Sequence, residues 1–382
     1  MVRGVVIVIM AIDHVRDFFM IAAQQDPLAD PNVPPALFFT RWITHFCAPV
    51  FVLLAGTSAG LMVRRRSHGE LATFLFTRGV WLLFIELFVI ATAVTFAPQG
   101  IPEIGGTFVA MQVIWAIGAS MIVLSIVQRF GRRACLILGL AIVCGHNLLD
   151  PIWPASQAFD GRDWPLWVAL HSQISYQAGP FVLLFAYPVL AWIGVMMIGF
   201  GVSPVFELPV ERRNRVLLRG GVALTAAFVV VRAIQVYGDP NGWQIQSGGS
   251  LATLIDFLNT TKYPPSLDFL LMTIGPAAIL CALADRVEGP VKEFFLTFGR
   301  VPFAFYVPHF FLIHALSVGL GLLQGFALAQ MLTLFLFYPK GYGVSLAGVY
   351  AAWALVIVLL YPFCRWVGGI KARRRDWWLS YL

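Results

Sequence analysis

Charge is scarce in this chain: Asp, Glu, Lys and Arg make up 12% of its 382 residues, while hydrophobic residues make up 59% and mean hydropathy is +0.81. A soluble globular domain carries about a quarter of its residues as charge, so that class is excluded. Cysteine is sparse too. The five (Cys47, Cys135, Cys144, Cys281 and Cys364) are odd in number, lie in or beside apolar segments and form no Cys-x-x-Cys pair. That excludes a disulfide scaffold and a thiolate zinc site alike. No P-loop and no G-x-G-x-x-G is present, and no fixed-period repeat or large polar block interrupts the apolar pattern. The net charge of +7 comes from basic residues clustered at segment ends, not from a stripe with interleaved aromatics, so nucleic acid is not an expected partner.

What is present is a succession of apolar runs, each about 20 residues long, the length that crosses about 30 Å of hydrocarbon. They predict an all-α polytopic transmembrane bundle, one integral membrane domain over residues 1–382. Its expected spans are 4–23, 42–63, 76–97, 107–127, 134–148, 180–201, 217–236, 265–285, 301–322 and 345–366. Basic groups follow every second span: Arg64 to Arg66 with Arg78; Arg129, Arg132 and Arg133; Arg212, Arg213 and Arg215; Arg286 and Lys292; Lys371 and Arg373 to Arg375. By the positive-inside rule these ends are cytoplasmic, as are both termini, in a cytoplasmic (inner) membrane. The loops between them, 24–35, 97–106 and 238–249, are poor in Lys and Arg and face outward. Residues 323–343 are apolar enough for an eleventh span, but counting them would put the KARRR tail outside, so an external interfacial or re-entrant element is expected there.

The opening run, RGVVIVIMAIDHVRDFFMIAA, carries Asp13, His14, Arg16 and Asp17 in its middle. A signal peptide has a purely apolar h-region, so this is a retained first span. Such charges cost at least about 2.5 kcal/mol each near the bilayer centre and persist only when paired or facing a cavity. Helical spacing puts Arg16 (i+3) and Asp17 (i+4) beside Asp13, with His14 about 100° round; an Asp13–Arg16–Asp17 network holding His14 toward a pocket is expected. The bland alternative is that all four are packing between helices. His45 lies near the outer end of span two, Glu86 and Gln112 in the middle of spans three and four; an interhelical amide contact is the simpler account of Gln112. A second concentration is FGRVPFAFYVPHFFLIHAL, where Tyr306 and His309 share a face at i+3, while His314, five further on, need not join them. Helical zinc ligands need i, i+4 spacing, which HxxxxH lacks, so no metal is expected.

At these residues the chain resembles a known family. RGVVIVIMAIDHVRDFF followed by ITHFCAPVFVLLAGTSAGL is similar to the opening of the heparan-alpha-glucosaminide N-acetyltransferase catalytic domain and its bacterial relatives. KYPPSLDFLLMTIGPA and GRVPFAFYVPHFFLIH resemble that family's later helices, where a Gly is followed by a Tyr and then a His, here Gly299, Tyr306 and His309. The resemblance implies a multi-pass enzyme that takes acetyl groups from cytoplasmic acetyl-coenzyme A, as co-substrate, and acetylates an amino sugar on the far side. One departure stands out. The family's catalytic His lies in the first outer loop, and QQDPLADPNVPPALFFTR here has none; near the family's Asp before a Met-Pro stands His45, four residues ahead of Pro49. His14 or His45 would then act as base, so the heparan activity itself is not carried over. The chain begins almost inside its first span, which leaves room for a segment upstream.

Acyl transfer makes physical sense of the candidates. A His with a carboxylate neighbour is the usual base for an amine or hydroxyl, which gives His14, His45 and His309 the central roles, Asp13, Asp17 or Glu86 the orienting ones, and Tyr306 a place beside them. Arg300, Arg64 and Arg78 are candidates for coenzyme A phosphates, although topology alone would also put arginines there. Arg16, Gln112, Lys262 and His314 are candidates for the acceptor, a sugar or other glycan, with Asp150, Trp153, Trp164 and Trp243 in the outer loops, where interfacial Trp is ordinary. Two other readings use the same residues: a proton-coupled transporter of small molecules, whose relay needs midplane Asp, Glu and His, and a scaffold, which needs the charges fully self-paired. The sequence leaves the oligomeric state open, a homodimer included.

Overall fold

The structure, a computed structural model, describes residues 1–21, 33–97, 100–156, 165–374, 376 and 379, and the Trp164 and Arg375 candidates lie outside them. It is mostly helical, with one small three-stranded sheet. Among the described residues eight stretches are long and apolar enough to cross a membrane: Pro35–Met62, His68–Thr95, Val113–Leu149, Leu190–Glu207, Val210–Ile234, Leu267–Arg286, Pro302–Leu323 and Leu346–Arg373. This is a polytopic helical membrane protein. The opening helix Val2–Phe19 is not among the eight, since Arg3, Asp13, Arg16 and Asp17 all fall within its 18 residues.

Two expectations change, and the structure adds detail to a third. The span expected at 107–127 starts as strand Thr107–Ala110 and turns helical only at Val113; the stretch Val113–Leu149 then holds two helices, Val113–Val127 and Gly131–Gly145, divided where Gly131 takes φ +88°. The run expected at 180–201 opens as a hairpin, Ser175–Ala178 against Phe181–Leu184, turning at Gly179-Pro180, and becomes helix only at Leu190. Proline and a residue at positive φ stop helix there however apolar the flanks. Finally, the segment expected to be interfacial or re-entrant forms only the short helices Leu328–Met331 and Phe335–Phe337, broken by Pro339 and by Gly325, Gly341 and Gly343 at positive φ.

The chain divides into two compact units. The first comprises Met1–Cys47, Phe88–Phe108 and Ala284–Leu382. In it the opening helix is enclosed by Pro35–Thr44, Gly289–Arg300, Pro302–Leu323 and Leu346–Arg373. Its own carbonyls serve as acceptors for the surrounding helices: Trp353 Nε1 donates to Val8 O at 2.8 Å and Cys47 Sγ to Val6 O at 3.2 Å. Its last turn, where helix carbonyls lack partners, is closed by segment 342–344. Tyr342 Oη donates to Phe18 O at 2.9 Å, Val344 N to Phe19 O at 2.7 Å, and Ile21 N to Val344 O at 3.0 Å. Burial pushes the phenols of Tyr338 and Tyr342 up, so both stay protonated donors.

The second unit, Ala48–Leu87 and Val109–Leu283, is built from helix pairs: His68–Phe84 with Val113–Val127, Gly131–Gly145 with Leu190–Val202, and Val210–Ile234 with Leu267–Leu283. Each pair meets at two facing glycines. A Cβ on Gly79 would lie 2.7 Å from Gly118 O and one on Gly118 2.9 Å from Gly79 O; Gly139 and Gly194 face each other at 2.7 and 3.0 Å, Gly221 and Gly275 at 2.7 and 3.1 Å. In hydrocarbon there is no hydrophobic drive to bring helices together, so close backbone approach at small residues supplies the contact energy.

Neighbouring glycines provide an internal control. Gly221→Ala puts a methyl against the Gly275 carbonyl and is expected to lower stability by about 1–3 kcal/mol. Gly220→Ala, which meets nothing within 4 Å, should leave the thermal midpoint of the detergent-solubilised protein unchanged or slightly raised. Equal effects from the two substitutions would refute the packing account.

Candidate functional site

The opening helix carries two separate sets of polar groups on different faces. On one, Arg16 Nη2 lies 3.3 Å from Asp13 Oδ1, the contact that i+3 spacing favours, and 2.5 Å from Asp17 Oδ1, its neighbour in sequence. The second carboxylate oxygen of Asp13 is taken by Arg41 Nη1 of helix Pro35–Thr44. Among the described residues two acids and two guanidiniums thus form an electrically balanced quartet. Arg41 was not among the residues expected from sequence, yet a signal for it existed: Asp13 and Asp17 against Arg16 alone leave one negative charge over, which a neighbouring helix must balance.

His14, about 100° round, leaves this network and faces helix Pro302–Leu323. Its Nδ1 is 2.7 Å from His309 Nε2, and its ring packs 4.4 Å from that of Phe310. His309 is fully buried, and its Nδ1 bonds to the backbone carbonyl of Tyr306. The buried ring of Tyr306 lies 5.4 Å from His309. These contacts determine the tautomers. A carbonyl oxygen only accepts, so the His309 proton sits on Nδ1; His309 Nε2 then accepts, His14 Nδ1 donates, and in a neutral His14 the second nitrogen, Nε2, carries no proton. Sequence reading placed Tyr306 and His309 on one face, but only the fold brings His14 to them.

The remaining candidates are placed elsewhere. His314 is set apart from the dyad, as its spacing suggested. It is fully buried between Ala93 O (2.9 Å) and Met331 O (3.2 Å), stacked 3.9 Å from Phe96 and packed on Phe18. His45 caps the end of helix Pro35–Thr44, fully buried and one turn beyond Arg41. Arg300 is largely exposed and pairs with Glu293 at 3.8 Å.

Glu86, Gln112, Lys262, Arg64 and Arg78 belong to the second unit. Glu86 sits in the π-helical turn Ile85–Ile90, and its Oε2 accepts from Trp115 N at 2.9 Å. It therefore caps helix Val113–Val127 from outside, where unpaired N–H groups and the helix dipole favour a carboxylate. Gln112 is the N-cap residue of that helix rather than a mid-span group, because strand Thr107–Ala110 occupies the residues before it. Lys262 is buried over the ring of Tyr263 at 5.1 Å, Arg64 pairs with Glu207 at 3.6 Å, and Arg78 is half-buried on helix His68–Phe84.

Several outer-loop candidates prove to hold the loops in place. Trp153 Nε1 donates to Ser172 Oγ, Trp243 Nε1 to Arg232 O, and Asp150 pairs with Asn147 and His171. Arg232, not foreseen from sequence, donates to the carbonyls of Asn241, Asp256, Phe257 and Asn259. The spacing Gly56-Thr57-Ser58-Ala59-Gly60 matches a nucleophile elbow, but it lies within helix Cys47–Met62, with Ser58 Oγ donating to Leu54 O at 2.7 Å, so the strained strand-to-helix turn is lacking. Among the described residues no group of three or more His, Cys, Asp or Glu is arranged to hold a metal ion.

A polytopic helical bundle in which histidines of two helices meet at 2.7 Å defines the class, an integral membrane protein with an imidazole pair between its helices. Residues 1–237 match the family described as heparan-alpha-glucosaminide N-acetyltransferase, catalytic. That is more than half of the chain, which therefore belongs to this family of membrane acetyltransferases. No curated protein matches the chain. The matched residues include Asp13, His14, Arg16, Asp17, Arg41 and His45; Tyr306, His309 and His314 lie beyond them and rest on geometry alone.

The quartet makes a prediction about stability. Arg41→Ala leaves Asp13 short of a cation in a buried setting and is expected to cost about 3–5 kcal/mol. The double variant Asp13→Ala with Arg41→Ala, which keeps the neutral Arg16–Asp17 pair, should lose clearly less than the sum of the single losses. Thermal unfolding of all three variants checks this, and strict additivity would dismiss the network.

Proposed function

We propose that this protein is a transmembrane acyltransferase that moves the acetyl group of acetyl-coenzyme A, taken from the cytoplasmic side of an inner membrane, to an amino sugar or other glycan acceptor on the opposite side. The observation that carries the reading is the His14–His309 contact at 2.7 Å, with His309 oriented by the Tyr306 carbonyl. Family membership supplies the reaction class, and the alternation of Arg-rich and Arg-poor connections supports the sidedness, with both termini cytoplasmic.

The chemistry assigns each group a task. As the acceptor nitrogen or oxygen attacks the thioester carbonyl, His14 Nε2 removes its proton. The positive charge that forms on His14 is stabilised by the Nδ1–H bond to His309, which plays the part that a carboxylate plays in a Ser-His-Asp triad. The C–S bond breaks and the thiolate leaves, taking the proton back from His14. His309 does not change its protonation state; its role is to hold the His14 ring in one tautomer. The Asp13–Arg16–Asp17–Arg41 quartet positions the helix that carries His14. Arg300, in the same unit as His14, is suited to coenzyme A phosphates, because its pair with Glu293 is exposed and worth at most about 1 kcal/mol.

Release of the coenzyme A thiol by purified protein, with acetyl-coenzyme A and glucosamine as substrates, tests the reading. His14→Ala is expected to lower turnover by about 10²- to 10⁴-fold, the usual contribution of a general base. His309→Phe, which keeps a ring but removes the acceptor nitrogen, should lower turnover and alter its pH profile without raising the KM for acetyl-coenzyme A. A His14→Ala variant with undiminished turnover would overturn the assignment.

A further inference from the structure

The second unit gathers positive charge at one end. The three connections 64–70, 128–133 and 203–215 hold nine arginines and three glutamates. The fold clasps them together: Arg132 Nη2 donates to Gly60 O at 2.8 Å and to Glu207 Oε1 at 3.1 Å, and Gln128 Nε2 donates to His68 O at 2.9 Å. Two buried donors at this point have no acceptor, Arg132 Nε and Ser203 Oγ; Ser203 lies against Gly60, the residue whose carbonyl holds Arg132. A buried N–H or O–H without an acceptor is unfavourable, and adjacent exposed arginines make an anion the fitting one.

The surroundings select among anions. Arg129 and Arg133 are exposed, and between them Phe130 is 73% exposed, with Ile126 63% exposed one turn before it. Large apolar side chains left open beside arginines mark the level where hydrocarbon meets headgroups. A soluble polyphosphate would leave Phe130 in water, whereas a phospholipid brings a phosphate to the arginines and an acyl chain to the phenyl ring. We propose that this end of the second unit binds the headgroup phosphate of an anionic phospholipid, centred on Arg132 and Ser203 and flanked by Arg129 and Arg133. The proposal does not depend on the His14–His309 pair, which belongs to the first unit, and the acetyl-coenzyme A arm of its test separates it from the coenzyme A candidacy of Arg64, which shares Glu207 with Arg132.

The test reconstitutes the full chain with equal amounts of phosphatidylglycerol and phosphatidylcholine, re-extracts it in mild detergent and quantifies the retained lipids by mass spectrometry. Wild type is expected to retain phosphatidylglycerol over phosphatidylcholine by about fivefold or more, consistent with the attraction of a few arginines for an anionic headgroup. Arg129→Gln with Arg133→Gln should reduce that ratio toward one, and Arg132→Gln should do the same. The first variant alters only exposed side chains, so the proposal remains testable if Arg132→Gln fails to fold. Equal retention of the two lipids by wild type, or an unchanged ratio in the double variant, overturns the proposal. So does displacement of phosphatidylglycerol by millimolar inorganic phosphate or acetyl-coenzyme A, which would make this a soluble-anion site.

Discussion

A carboxylate enclosed by apolar helices persists only with cations at contact distance, and Asp13 has two. Arg16 from its own helix and Arg41 from helix Pro35–Thr44 both reach it, so the charges of the opening helix tie that helix to its neighbour instead of opposing its burial. The first unit is arranged around this helix. Four other helices enclose it, two of its mid-helix carbonyls accept bonds from Trp353 and Cys47, and its last turn is closed by residues 342–344. Without the Asp13–Arg41 contact an unbalanced charge would sit at the centre of that arrangement, where its desolvation is most unfavourable.

With one face of the helix committed to charge pairing, the adjacent face presents His14 and Phe18 to helix Pro302–Leu323. The two rings meet different histidines. His14 joins His309 in a hydrogen-bonded pair, whereas Phe18 packs on His314, whose nitrogens face two backbone carbonyls. Residues four apart on one helix thus meet two histidines held differently, and the difference lies in what each histidine's second nitrogen faces. His309 is fixed by a carbonyl on one side and is left to accept on the other. Both nitrogens of His314 are directed at carbonyls, and a neutral ring, with one N–H, donates to one of the two.

The second unit relies on a different device. Its three helix pairs cross at facing glycines, so that each backbone lies against the other, and van der Waals contact replaces the hydrophobic effect that lipid does not provide. Its polar residues mostly close helix ends and loops: Glu86 caps a helix start, and Arg232 and Asp239 gather the carbonyls and hydroxyls of residues 241–266. The Arg-rich end departs from that pattern, since two of its donors are buried without acceptors.

The sequence by itself determined the membrane class, most of the apolar helices, the family and the Asp13–Arg16–Asp17 neighbourhood. Each depends on composition or on spacings of three and four residues, which helix geometry converts directly into contacts. It placed the helix starts at 113 and 190 too early, because a strand or hairpin of apolar residues has the same hydropathy as a span. Tertiary structure alone decided that Arg41 completes the quartet, that His14 meets His309 across 295 positions, and that Glu86 and Gln112 belong to a helix end. A side chain's partner on another helix depends on how the helices cross, and hydropathy carries no record of that crossing.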